Sequence, residues 1–117
     1  MSYWWDAYWG SNHKGGLRKD YITRGLRWAA DYDCQRPRNV LVYDSKNVRI
    51  KHLTLMRSPF WNVHLCYSEN VTVDGLTILE NSGPSTDGVD IDSCSHILVE
   101  NCDIDCNDDD ICIKAGR

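Results

Sequence analysis

Apolar and polar positions in this chain alternate in short runs, and the runs recur. Val40 and Val42, Val48 and Ile50, and Leu53 and Leu55 each bracket one intervening residue. A period of two puts the apolar side chains on one face, as in a short β-strand with one face inward. Adding 23 to each number gives Val63 and Leu65, Val71 and Val73, Leu76 and Ile78. Adding a further 26 gives Val89 and Ile91, Ile97 and Val99, Cys102 and Ile104, and 22 more takes the first pair to Ile111 and Ile113. Asn47 returns as Asn70, and only His96 and Cys102 change the type of a repeated position.

A repeat of this size is one coil of a solenoid. Three short strands per unit, separated by tight polar bends, predict an all-β fold: a right-handed parallel β-helix with Val, Leu and Ile laddered inside about 4.8 Å apart. The competing architecture, an antiparallel sandwich, needs hairpin turns between paired runs. Asp74-Gly75 is the sole candidate, and it holds the same place in the repeat as His52 and Asn101. Asn47 and Asn70 sit at a bend before a strand, where Asn tolerates left-handed backbone and can hydrogen-bond along a stack. The third unit is longer, with its extra length between Leu79 and Ser85, and a lengthened bend on one side of a solenoid commonly walls a groove.

Residues 1–37 lie outside the repeat and read as an irregular, aromatic-rich cap or side segment, with residues 38–117 as about three and a half coils of a β-helix truncated at both ends. Leu17–Asp31 reads as a short helix or irregular cap interrupted by Gly25. Trp4, Trp5, Trp9 and Trp28 read as a cover over an open end or side of the solenoid, with sugar stacking by one of them as the alternative.

Composition narrows the partners. The 117 residues carry a net charge of −4 with acids and bases mixed, and no basic stripe suggests nucleic acid. No apolar run approaches the roughly 18 residues of a membrane helix, and the opening SYWWDAYWG lacks the basic start and apolar middle of an export signal. The six cysteines, Cys34, Cys66, Cys94, Cys102, Cys106 and Cys112, fit neither a zinc CxxC pattern nor a compact disulfide scaffold. They read mostly as buried free thiols, with Cys102 and Cys106 the first pair to test for a bridge.

The chemistry concentrates at two acidic clusters. Ser85-Thr86-Asp87 runs into the Val89/Ile91 strand, and Asp108-Asp109-Asp110 into the Ile111/Ile113 strand, both at a 22-residue offset. On a coil-on-coil fold Asp87 therefore stacks on Asp109, with Asp108 beside them. Like charges on adjacent strands are costly, so surface acids are a weak account of the stack. Clustered carboxylates hydrolyse glycosidic bonds: one, kept protonated by its neighbours, donates to the leaving oxygen, and the others activate water. A calcium site is the alternative. Asp103–Asp108 resembles the start of an EF-hand loop, but it lacks the sixth-position Gly and has Lys114 where the twelfth-position Glu belongs. By offset, Asp92 is expected to form a cross-strand ion pair with Lys114. His64 is expected to stack with Asp90, facing solvent or touching substrate.

These motifs carry a family likeness. STDGVDIDS followed by NDDDICIKAG resembles the NTDGxD…GDDCxAIKSG signature of polygalacturonases, glycoside hydrolase family 28. The coils from Arg36 to Ile78 resemble the family's segment leading into the site. The resemblance implies the pectin-lyase-like solenoid and metal-free, cofactor-free inverting hydrolysis of α-galacturonosyl linkages in pectin. It makes Asp108 the general acid and Asp87 and Asp109 the water-activating bases, with Asp90 in a supporting place; from their offsets alone, His64 and Lys114 are added as substrate-binding or supporting candidates. Ser85 replaces the usual Asn, Asn107 the usual Gly, and Asp110 the usual Cys. The family's Gly-His-Gly and Arg-x-Lys motifs would fall beyond Arg117, so the resemblance implies a fragment, inactive alone, of an exported and monomeric parent. Rhamnogalacturonan hydrolysis, a polysaccharide lyase and a non-catalytic carbohydrate-binding β-helix remain open as alternatives.

Overall fold

The computed structural model of the chain describes residues 23–25 and 36–115. The aromatic positions Trp4, Trp5, Trp9 and Trp28, the Leu17–Asp31 segment apart from Thr23–Gly25, and Cys34 lie outside the described residues. No helix among the described residues is long and apolar enough to cross a membrane.

The alternating runs become strands: β1 (Val40–Tyr43), β2 (Lys46–Lys51), β3 (Thr54–Met56), β4 (Val63–Cys66), β5 (Glu69–Asp74), β6 (Thr77–Leu79), β7 (Val89–Asp92), β8 (Ser95–Glu100), β9 (Asp103–Ile104) and β10 (Ile111–Lys114). They form three parallel sheets, β1-β4-β7-β10, β2-β5-β8 and β3-β6-β9, each taking one strand per coil. This is the right-handed parallel β-helix that the repeat predicts. The registers match the sequence offsets: Val40 pairs with Val63, Val63 with Val89, and Val89 with Ile111.

The bends explain how so short a repeat closes. Left-handed backbone recurs at matching corners of successive coils: Asp44, Tyr67 and Ser93; Asn47, Asn70 and His96; His52, Gly75 and Asn101; Arg57 and Glu80. Such conformations are costly for ordinary residues, and the stacking offsets the cost. At the second corner the Asn70 amide donates to Asn47 Oδ1, the expected side-chain stack. The third corner is where Asp74-Gly75 sits, turning a coil rather than a hairpin.

Inside, Val63, Leu65, Val71, Val73, Leu76, Ile78 and Val89 are almost fully buried. Most of them belong to the middle coil; from the coils on either side Ile50 and Val89 are also buried, and the other apolar residues packed against this cluster are only half-buried. The thiols depart from the expected pattern. Cys66 is buried, whereas Cys94, Cys102, Cys106 and Cys112 are half-buried, and all five are free. Cys102 and Cys106 do not bridge: Cys102 Sγ contacts the Glu100 carbonyl at 3.2 Å, and Cys106 turns toward the acidic bend after β9.

Candidate active site

Asp87 lies just before β7, on a segment held from the neighbouring coil. The backbone N–H of Asn62 donates to the Asp87 carbonyl at 2.8 Å, and the Asn62 side-chain amide donates to the same oxygen at 3.1 Å. Asn62 is fully buried and accepts in turn from the Asn39 amide at 3.0 Å. Two donors on one carbonyl fix the backbone from which the Asp87 carboxylate projects. Upstream, the buried Thr86 hydroxyl donates to the Gly83 carbonyl at 2.9 Å, and the Asn107 amide donates to that carbonyl at 3.1 Å. This ties the lengthened bend to the acidic turn one coil on. Asn62 was legible only as a polar residue next to a strand, although its 23-residue spacing from Asn39 repeats the ladder signal.

The second acidic cluster is brought against Asp87 through Gly88. Gly88 N–H donates to the Asp109 carbonyl at 2.9 Å and Val89 N–H to the Asp110 carbonyl at 3.0 Å. A Cβ on Gly88 would lie 2.3 Å from the Asp110 carbonyl oxygen and 2.7 Å from Ile104 Cγ2, so this close approach requires glycine. The stack read from the sequence is present: a carboxylate oxygen of Asp87, one of Asp109 and the Cys112 sulfur all lie within 4.8 Å of one another. Asp87 is buried, whereas Asp108, Asp109 and Asp110 are exposed. Asp108 Oδ1 accepts from the Asp109 N–H at 3.1 Å. Asp110 is directed elsewhere, with its Oδ1 3.2 Å from Cys106 Sγ. Burial, helped by Asp110, pushes the Cys106 thiol up to about 11, so it stays protonated and can donate to that carboxylate.

Electrostatics set the acids apart. Burial raises Asp87, the charge of Asp108 raises it further, and Lys114 pulls it back. Asp90, wholly buried, is raised to about 7, by burial first and by Asp87 next among the raising influences. Lys114 Nζ lies 2.8 Å from Asp90 Oδ1 and 3.5 Å from Asp87 Oδ2. Burial acts to lower the lysine, but Asp90, Cys112 and Asp87 outweigh it and hold the ammonium charged. The expected Asp92–Lys114 ion pair is therefore replaced, although the two residues are register partners. Asp92 already accepts from Ser93 Oγ at 2.9 Å, and the ammonium is stabilised more beside a buried carboxylate than beside a part-exposed one. The lysine is also steered by the Trp61 ring, whose centroid lies 4.6 Å from Nζ.

His64 does pair in register with Asp90. It does not face solvent: only 7% of it is exposed, and its ring meets Trp61 edge-to-face at 4.8 Å. Burial first, and the positive charge of Arg38 next, lower its pKa, so the ring is neutral. Trp61 is the residue that the repeat pattern missed. It sits in the bend between β3 and β4, and its ring lies close to His64, Lys114 and Arg38, whose guanidinium is 5.0 Å from the ring centroid. Among the described residues, two groups of side chains bring possible metal ligands together: Asp87, Asp109 and Cys112 in the acidic stack, and His64, Cys66 and Asp92 beside it on the same sheet.

The chain is similar to known proteins in sequence and in fold. The family model described as Glycosyl hydrolases family 28 matches residues 24–117. The chain belongs to glycosyl hydrolase family 28. A protein of Vitis vinifera named "Probable polygalacturonase" is 42% identical over 82 residues, covering 69% of this chain and 17% of the relative. A "Polygalacturonase" of Chamaecyparis obtusa is 38% identical over 85 residues, covering 72% of this chain and 16% of that protein. The crystal structure of a hyperthermoactive exopolygalacturonase from Thermotoga maritima superimposes with a TM-score of 0.76 at 28% identity, covering 97% of this chain and 29% of that one. The family 28 chain described here thus spans less than a third of the length of each of these relatives.

Proposed function

We propose that the protein of which this chain is part hydrolyses α-galacturonosyl linkages of pectin with inversion, through Asp87, Asp108 and Asp109. The observation that carries this reading is the meeting of the Asp87 and Asp109 carboxylates within 4.8 Å on adjacent coils. Inverting enzymes separate acid from base by roughly 6.5–9.5 Å, to admit a water. Asp87 and Asp109 are too close to flank that gap from opposite sides. They serve together as the pair that holds and deprotonates the water. Asp108, on the exposed turn, donates its proton to the leaving oxygen. Asp110 is engaged with Cys106 and stands outside the set.

The remaining site residues have supporting places. Lys114 keeps Asp87 ionised enough to act as a base, and Asp90 anchors Lys114. His64, behind Trp61, supports the sheet beside Asp90 and leaves substrate contact to exposed groups. A polymeric cell-wall substrate also fits export of the longer protein, which we take to act as a monomer without nucleic-acid or membrane partners. Cleavage of rhamnogalacturonan uses the same acids, so the substrate is decided by assay.

The test is reducing-sugar release by the longer protein from polygalacturonate and from rhamnogalacturonan, with the first product anomer read by proton NMR. Inversion of an α-linkage releases the β-anomer first. Asp87→Asn, Asp108→Asn and Asp109→Asn are each expected to lower kcat by about 10²–10⁴-fold. Release of the α-anomer first would replace the water-activating pair with a nucleophile, since retaining enzymes hold their two carboxyl groups about 5–5.5 Å apart. An unsaturated product whose formation stops with a chelator would identify a lyase instead. Unaltered turnover in Asp108→Asn would remove the assigned acid.

A further inference from the structure

The outward face of the β1-β4-β7-β10 sheet carries a second cluster, in which only His64 has a place in the proposed hydrolysis, as a support of the sheet. His64 and Cys66 lie two residues apart on β4, so they share a face, and Asp92 on β7 is the register partner of Cys66. One donor atom from each of the three lies within 4.8 Å of the others. His64 Nε2 is 3.6 Å from Asp92 Oδ2, and Cys66 Sγ is 3.9 Å from the same oxygen. Neither ring nitrogen of His64 has a hydrogen-bond partner, although the residue is only 7% exposed. A buried imidazole with neither nitrogen in hydrogen-bond distance of an N, O or S partner is costly.

We propose that His64, Cys66 and Asp92 form a binding site for one divalent late transition metal ion, zinc in class. Zinc bonds of about 2.0–2.3 Å to nitrogen, oxygen and sulfur at tetrahedral angles put N and O about 3.4 Å apart and S and O about 3.6 Å apart. The two measured separations exceed these edges by only about 0.2–0.3 Å, a contraction small enough for side-chain rotation. The charges also balance. A thiolate and a carboxylate neutralise a dication beside a neutral imidazole, so the loaded site brings no net charge into a buried place. The set mixes one soft and two harder donors, which suits zinc better than calcium or magnesium. Ser93 Oγ holds the other Asp92 oxygen at 2.9 Å and so orients the ligating one. Arg38 and Lys114 are the nearby positive charges that oppose the ion. Cys66 is held protonated, by burial first and by Asp92 next, so each ion that binds displaces one thiol proton. Two ligands come from one coil and the third from the next, so the ion would clamp adjacent coils. The site stands independently of the hydrolytic reading.

The test is titration of the chelator-stripped protein with Co²⁺ alone, followed by Zn²⁺ displacement. Expected are one equivalent of Co²⁺, a thiolate-to-cobalt charge-transfer absorption, its loss on adding zinc, and release of about one proton per ion. Cys66→Ser should abolish the absorption, and His64→Gln and Asp92→Asn should each weaken binding at least tenfold. Cys106→Ser and Cys112→Ser should leave it unchanged, which separates this cluster from the acidic stack. Absence of the absorption in the parent protein, its survival in Cys66→Ser, or its loss in Cys112→Ser would each overturn the assignment. If Cys66→Ser does not fold by circular dichroism, full affinity in both His64→Gln and Asp92→Asn overturns it equally.

Discussion

Asp90 is a wholly buried carboxyl beside a second acid, and even an ammonium 2.8 Å away leaves its pKa raised to about 7. An acid raised on folding binds its proton more tightly in the native state than in the unfolded one. Its contribution to stability is therefore present at low pH and is lost as pH rises from about 4 through about 7. The wild-type protein should lose up to a few kcal/mol of unfolding free energy over that window relative to Asp90→Asn. Urea titrations of both proteins at pH 4 and pH 8 check this, and parallel pH dependences would refute it. Lys114 tests the other side of the same cluster. Its cation lowers both Asp87 and Asp90, so Lys114→Met should shift the acidic limb of kcat/KM upward by about one pH unit. At this scale the sequence told which residues stack but not which atoms meet. Offsets place Asp92 opposite Lys114, whereas burial decides that the lysine goes to Asp90, and nothing in the local pattern reports burial.

The elements were legible because each strand repeats its neighbour's pattern. An inward valine selects an inward valine one coil away, so spacing alone gives both strand identity and register. The corners were partly legible: Asn47 and Asn70 mark one stack, while Tyr67 and Ser93 adopt the same left-handed backbone with no residue-type signal. The bend carrying Trp61 and Asn62 does not repeat an apolar pattern, and the residue that fixes the Asp87 backbone was missed for that reason. Gly88 is where element geometry becomes chemistry. Its missing side chain lets β7 approach the turn before β10, and a Cβ there would meet backbone that cannot swing away. Gly88→Ala should cost about 1–3 kcal/mol through forced separation of the strands, with a larger proportional loss of activity, because Asp87 and Asp109 would move apart together. Urea unfolding with a parallel turnover assay checks this, and full activity in a stably folded Gly88→Ala would show that the two carboxylates need not be in register. Gly75 offers a control within the same fold: its Cβ would meet the movable His52 ring, but its φ of +66° is unfavourable for alanine. Its alanine variant should lose stability without a selective loss of turnover.

For the molecule as a whole, a solenoid distributes stability by nearest-neighbour contact, since each coil touches only the coils before and after it. The burial pattern follows that rule. The middle coil, from β4 through β6, holds Val63, Leu65, Val71, Val73, Leu76 and Ile78 at 0–1% exposure, whereas Ile113 on β10 is 82% exposed. Ile78 and Ile104 make a matched comparison: the same residue type, in the same sheet, as register partners on adjacent coils. Ile78 is buried between β3 and β9, whereas Ile104 is half-buried on the edge strand of that sheet. In this chain Ile78→Ala should therefore cost about 2–5 kcal/mol, the range for truncating a fully buried isoleucine, and Ile104→Ala less than half as much. Urea denaturation of the two variants measures the difference. Amide hydrogen exchange should show the same gradient, slower in β4 and β5 than in β10, because local opening begins where a strand has a partner on one side only. Equal costs for the two isoleucines would mean that the coils unfold as one unit whose stability is not set by the neighbours each side chain touches.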